Sequence, residues 1–243
     1  MFPKHGKIDC RVCFDNDSNL TSPHCDWKMV NDPGAWGGSE NPEFLVLGFS
    51  KGATQANFYN NGSFEDVAFK GMRPRLTEAL RTVGVLSDIE TVDDKIQKPK
   101  SNISFGSLIR CSVSRRDPKA SIQKKEEVYS CTGPLIKKSF SEIPDVINRC
   151  TDKYLSNLPE SIKVVFLLGN DNGYVKKCRE LLKNKFYSDY KEMNSMAVFA
   201  NKRVWVHLAH PSGMNGHFNN WLIANDGAGI KRKEAITAMS ADL

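Results

Sequence analysis

Four short apolar runs, at residues 44–47, 103–109, 164–168 and 204–208, most constrain what this chain can fold into. For the most part they lack the polar alternation of a strand with one wet face, so they suit strands buried on both faces of a largely parallel sheet. Parallel strands need long crossovers, and helical patterns fall between the runs. Pro74 stands at a first helical position, Leu76, Leu80 and Val83 follow at helical spacing, and Gly84 stops the pattern. Further helices are expected at about 145–155 and 174–182. Residues 196–199, the pair Asn201-Lys202 and residues 203–206 form a hairpin pattern that feeds the last strand. The expected fold class is therefore α/β, a three-layer αβα sandwich with a mostly parallel central sheet and one antiparallel addition.

With 243 residues and 40% hydrophobic side chains, the chain can bury one good core, and a single domain over 1–243 is expected. Residues 88–102 and 112 to about 141 are polar, rich in lysine and short of apolar periodicity, the signature of insertions or flexible loops. Residues 129–136 fit a local turn of helix, which the sequence leaves undecided. No apolar run approaches the about 18 residues of a membrane span, and the first six residues lack the apolar core of a secretory signal. These features predict a soluble, cytoplasmic protein with no membrane partner. The net charge of +6 is unevenly spread, with Arg110, Arg115, Arg116, Lys119, Lys124, Lys125, Lys137, Lys138 and Lys231, Arg232 and Lys233 in clusters. A polyanion such as nucleic acid suits them; a solvated basic face is the alternative.

Seven cysteines are an odd number, and in an intracellular chain they point away from a disulfide framework and toward metal ligation. Cys10-Arg11-Val12-Cys13 has the spacing that lets two thiolates reach one metal centre. Its partners must come from Cys25, Cys111, Cys131, Cys150 and Cys178, of which Cys178 lies in an expected helix as a small buried hydrophobe. Four thiolates serve zinc or an iron–sulfur cluster equally well on spacing.

The segment His210-Pro211-Ser212-Gly213-Met214-Asn215 follows directly on the run at 204–208. A histidine, a rigid proline and small residues at a strand end present a chemical group at the carboxyl edge of an open α/β sheet. A histidine that only satisfies a core hydrogen bond is the alternative.

Taken together, these motifs resemble the uracil-DNA glycosylase superfamily, specifically its iron–sulfur branch, families 4 and 5. The likeness runs from Cys10 to about Trp221. Its elements keep the family's order: Cys10-x-x-Cys13; Asp32-Pro33-Gly34 before the first strand; Ala68-Phe69-Lys70-Gly71 before the helix of Leu76 and Leu80. Leu108-Ile109-Arg110-Cys111, Cys150-Thr151-Asp152-Lys153-Tyr154-Leu155 and His210-Pro211-Ser212 follow. Each motif is weak alone, and the shared order carries the likeness.

The resemblance implies a four-iron, four-sulfur cluster held by Cys10, Cys13, Cys111 and Cys150, with Cys131 the rival fourth ligand and zinc the less favoured metal. Choosing Cys150 makes residues 112–149 an enlarged basic insertion suited to phosphates. The resemblance also gives His210 the task of stabilising the leaving base, Phe49, Phe69 and Ser107 contact with the base, and Met214 the place of a wedge beside the flipped nucleotide. Asn215 and the backbone of Gly213 and Gly216 would bind phosphate.

One motif departs from the family. After the first strand the chain has Gly48-Phe49-Ser50-Lys51-Gly52, with neither the acidic residue nor the proline of family 4, and Ser107 aligns with the asparagine that reads uracil. Ser50 and Asp66 are the candidate substitutes for the missing acid. Residues 52–69 are rich in polar groups, Gln55 and Asn57 among them, which suits a widened pocket. The expected function is a monomeric DNA glycosylase that hydrolyses the N-glycosidic bond of a bulky or hypermodified base, such as glucosylated hydroxymethylcytosine, in antiviral defence. Uracil excision in base-excision repair, an inactive DNA-binding module and a zinc-stabilised nucleic-acid adaptor are the alternatives.

Overall fold

A computed structural model of the chain describes residues 2–15, 17–38, 41–97 and 101–240. Its strands are β1 (Gly6–Lys7), β2 (Leu20–His24), β3 (Trp27–Val30), β4 (Gly34–Gly37), β5 (Phe44–Gly48), β6 (Ile103–Ser107), β7 (Ser112–Arg116), β8 (Tyr129–Ser130), β9 (Val164–Leu168), β10 (Lys191–Asn194), β11 (Ala197–Ala200) and β12 (Arg203–Leu208). Its helices are α1 (Ala53–Asn61), α2 (Arg73–Thr82), α3 (Val92–Gln97), α4 (Pro118–Lys124), α5 (Gly133–Glu142), α6 (Pro144–Leu155), α7 (Asn172–Lys185), α8 (Phe218–Ile223) and α9 (Ala228–Met239).

Eight strands form one sheet in the order β1-β4-β6-β5-β9-β12-β11-β10. The four apolar runs supply its centre, where β6, β5, β9 and β12 are mutually parallel. Both flanks are antiparallel, so the sheet is mixed and not mostly parallel as the sequence predicts. The cause is local. Asn201 and Lys202 take φ of 52° and 60°, the two left-handed positions of a tight turn whose twist matches its strands, and a two-residue turn permits only antiparallel return. On the other flank β4, between the edge strand β1 and β6, is Gly-Ala-Trp-Gly, a strand without a hydrophobic run, fixed by pairing Trp36 with Phe105.

The central strands show why their sequences are continuous. Val46, Phe166, Leu168, Val206 and Leu208 enter one buried cluster with Leu76 and Leu80 of α2, Ile96 of α3, Trp221 of α8 and Ala235 of α9. Their neighbours Leu45, Leu47, Val165, Leu167 and Trp205 enter a second cluster with Ile147 of α6 and Cys178 and Leu182 of α7. Helices therefore pack on both faces, and each fully buried large side chain contributes about 1.5–3 kcal/mol. Leu47 pairs with Gly106 and Leu167, and Leu167 with His207, so the carboxyl ends of all four strands lie side by side. The segments after them emerge at one edge, where α/β sheets build sites.

The stretch expected as flexible insertion is folded. β2, β3, β7 and β8 make a second, antiparallel sheet, residues 118–124 and 133–142 are helical, and residues 92–97 form α3. Arg115 of β7 holds this unit together by pairing with Glu142 (Nε to Oε2, 2.7 Å) and Asp26 (Nη2 to Oδ2, 3.0 Å), while the Trp27 indole donates to the same Glu142 oxygen at 2.8 Å. Arg110 and Arg115 are buried, so these two charges do not belong to a solvated basic face. Among the described residues, no helix is long and apolar enough to cross a membrane.

Candidate functional site

β12 delivers His210 to the sheet edge, and the loop after it is braced from several sides. The Ser212 amide donates to His210 Nδ1 at 3.2 Å, so the neutral ring carries its proton on Nε2. Asn215 donates through Nδ2 to the His210 carbonyl at 2.9 Å. Arg75 of α2 donates to the carbonyls of Ser212 and, at 3.0 Å, Asn215, with its guanidinium 4.2 Å from the Phe218 ring centre. Burial, with the Arg75 charge adding to it, pulls the His210 pKa down to about 4, and the ring is neutral at physiological pH. Arg75 was invisible as a site residue in the sequence, where it is one charge on an amphipathic helix.

A cleft of about 370 Å³, counting the part open to solvent, brings His210 together with Ser50, Phe69 and Ser107 from three other segments. Phe69 has a φ of 54°, which costs a residue with a Cβ about 1–2 kcal/mol, and its ring lies edge-on to Phe105 at 5.9 Å. Ser107 donates its hydroxyl proton to the Ile109 carbonyl at 2.7 Å, so only its lone pairs are left for a ligand. Gly106 also lines the cleft; a Cβ there would stand 1.8 Å from Nη1 of the buried Arg110.

Lys51 and Gln55 complete the wall. Lys51, which stands at the position of the family's proline, is buried. Its ammonium lies 3.4 Å from Asp32 Oδ1 and donates to the Arg110 carbonyl. Asp32, fully buried, accepts from the Ser112 amide at 2.6 Å and the Ser112 hydroxyl at 2.5 Å. Burial lowers the Lys51 pKa, and the Asp32 charge opposes that shift. Such a pair breaks at high cost when one partner is removed.

Other expected site residues lie elsewhere. Phe49 turns into the core on the opposite face, against the rings of Phe140 (6.1 Å) and Tyr174 (6.4 Å), because side chains at a strand end alternate and Ser50 takes the cleft side. Asp66, in a 3₁₀ turn at Phe64–Asp66, pairs with Lys70 (3.4 Å) and is not among the residues that line the cleft. Met214 is 94% exposed, and a Cβ on Gly213 or Gly216 would meet nothing within 4 Å. Asn215 spends its side chain on the loop itself, accepting from the His217 amide at 3.1 Å.

A second cavity is lined by Cys10, Cys13, Cys111 and Cys150. Cys131 is not in it; its sulfur stands 3.4 Å from Ser50 Oγ. Cys178 is a buried core residue in α7. Burial pushes the thiols of Cys111 and Cys150 up to about 12 and about 11, and raises Cys13 as well. Burial acts the same way on Cys10, but the neighbouring Tyr154 hydroxyl and the Lys153 ammonium, 3.3 Å from its sulfur, more than offset it. Arg149, Lys153 and Arg110 also line the cavity, and the Arg110 amide donates to Cys150 Sγ at 3.2 Å. Among the described residues, no three His, Cys, Asp or Glu side chains are gathered closely enough to hold a metal ion.

No protein-family model matches the chain, and no curated protein matches it.

Proposed function

We propose that this protein is a DNA glycosylase of the uracil-DNA glycosylase type, a three-layer αβα fold that flips a modified base into the cleft of His210 and hydrolyses its N-glycosidic bond. The observation that carries the reading is convergence: Ser50, Phe69, Ser107 and His210, separated widely in sequence, share one cleft at the sheet's carboxyl edge.

Cleavage leaves negative charge on the departing base and positive charge on the sugar. A neutral His210 donating from Nε2 suits an oxygen that gains charge only as the bond breaks. Such a preorganised donor is worth about 10²–10³ in rate. Phe69, held in one strained conformation, stacks on the base, an interaction of about 1–3 kcal/mol. Among the described residues no carboxylate lines the cleft, so water is held by a hydroxyl, Ser50, and the chemistry leans on the leaving group. Ser107 in place of a uracil-reading amide leaves room for a substituent. The reading thus extends to a bulky or hypermodified base such as glucosylated hydroxymethylcytosine, and to antiviral defence, with uracil repair the alternative.

Cys10, Cys13, Cys111 and Cys150 would hold the four-iron, four-sulfur cluster. Four thiolates in one cavity beside three cationic side chains suit its negative charge. When bound, it supplies a structural tie between the chain's amino-terminal segment, the end of β6 and α6.

The test is to incubate the protein with uracil-containing DNA and with glucosylated phage DNA and identify released bases by mass spectrometry. Release from the glucosylated DNA, lowered about 10²–10³-fold in His210→Ala, is expected. DNA binding with no base released from either substrate refutes the enzyme and leaves a binding module.

A further inference from the structure

We propose that Gln55 selects the base by presenting amide N–H donors to an oxygen-bearing edge, a specificity that rests on the glycosylase reading. Gln55 lies in the first turn of α1, is 7% exposed and lines the cleft. The Gly52 amide donates to its Oε1 at 3.1 Å, which fixes the orientation of the side-chain amide. Nε2 then has no hydrogen-bond partner among the described residues. It is also not sealed in the core, where the unpartnered buried atoms are those of Arg110, Tyr154, Tyr174, Trp221 and a few others. A buried amide whose nitrogen is left uncommitted, on a side chain that lines the cleft, is a donor waiting for an acceptor.

The rest of the wall has matching polarity. His210 offers its Nε2 proton, Lys51 adds positive charge from behind, and Ser107 has turned its proton away. A base whose carbonyl or hydroxyl oxygen faces Gln55 pairs with it. An exocyclic amino group in that place sets donor against donor and leaves both unpaired. The ligand class is therefore a pyrimidine with an oxygen, on the ring or on a substituent, at the Gln55 side.

Gln55→Glu keeps the length of the side chain and an oxygen for the Gly52 amide while exchanging the donors for an acceptor. Gln55→Met keeps the length and removes both. Both variants and the wild-type protein are given DNA carrying uracil, cytosine, hydroxymethylcytosine or glucosylated hydroxymethylcytosine, and kcat/KM for release of each base is measured by mass spectrometry. Gln55→Glu is expected to lower release of the wild type's preferred base by at least about tenfold and to change the order in which the four bases are released. Gln55→Met is expected to flatten the ranking, and it decides alone if the Glu variant does not fold. An unchanged ranking in the folded variants overturns the role of Gln55 while the glycosylase reading stands. No release of any base by the wild-type protein refutes that reading, and the role of Gln55 with it.

Discussion

His207 gives the fold a pH dependence whose size follows from its surroundings. It sits in β12 with 3% of its surface exposed, its Nδ1 proton directed to the Gly169 carbonyl at 2.7 Å and its ring edge-on to Tyr174 at 5.8 Å. Burial drives its pKa down from 6.5 to about 4. The unfolded chain therefore takes up a proton that the folded chain refuses. The stabilisation is complete above pH about 6.5, declines as pH falls from there, and is gone below about 4. Each pKa unit is about 1.4 kcal/mol, so His207 alone removes about 2 kcal/mol between pH 7 and pH 5, a large part of a typical 5–15 kcal/mol total. His210 adds a smaller loss of the same sign, since its ring opens on the cleft. The assay is urea unfolding followed by circular dichroism at pH 7 and pH 5, in the wild type and in His207→Gln, whose amide still donates to Gly169 but does not titrate. The variant is expected to lose about 2 kcal/mol less than the wild type over that interval. Equal losses in the two proteins refute the argument.

Two further predictions concern the cavities. Gly106→Ala drives a methyl group to 1.8 Å from Arg110 Nη1, and because Arg110 is 2% exposed it has nowhere to move; a loss of about 1–3 kcal/mol is expected in thermal unfolding, together with reduced base release. Cys150→Ser is expected to abolish the iron content and visible absorbance of protein purified without oxygen, whereas Cys131→Ser, outside the cysteine cavity, keeps both. A colourless wild-type protein that carries zinc contradicts the cluster.

The sequence exposes those parts of the fold where burial leaves a pattern. Strands with two dry faces are largely apolar, so β5 and β9 are legible outright, β12 and β6 by their apolar residues despite Arg203, His207, Ser104 and Ser107, and α2 by its proline start and glycine stop. Strand β4 is not, because two of its four residues are glycine and pairing with β6 and β1 makes it a strand. In the cleft, Ser50, Phe69, Ser107 and His210 are legible through their order along the chain. Phe49 fails by one residue of alternation, and Asp66 by the direction of a single 3₁₀ turn. Neither is fixed until the neighbouring elements pack.

The charges were the hardest to read, because Lys51 and Arg110 look like surface residues and are interior ones. What permits their burial is a chain of partners that exists only in three dimensions. Lys51 meets Asp32 and the Arg110 carbonyl, the Arg110 guanidinium lies against Gly106 in the cleft wall, and the Arg110 amide donates to Cys150. The same two residues thus form the wall between the cleft and the cysteine cavity. Lys51 is held by the Asp32 carboxylate and the Arg110 carbonyl, so a change in how Cys150 is held, which reaches Arg110 through its amide, reaches Lys51 through the carbonyl of the same residue. On this geometry the cysteines support the cleft directly, across one residue, rather than by stabilising the fold at large.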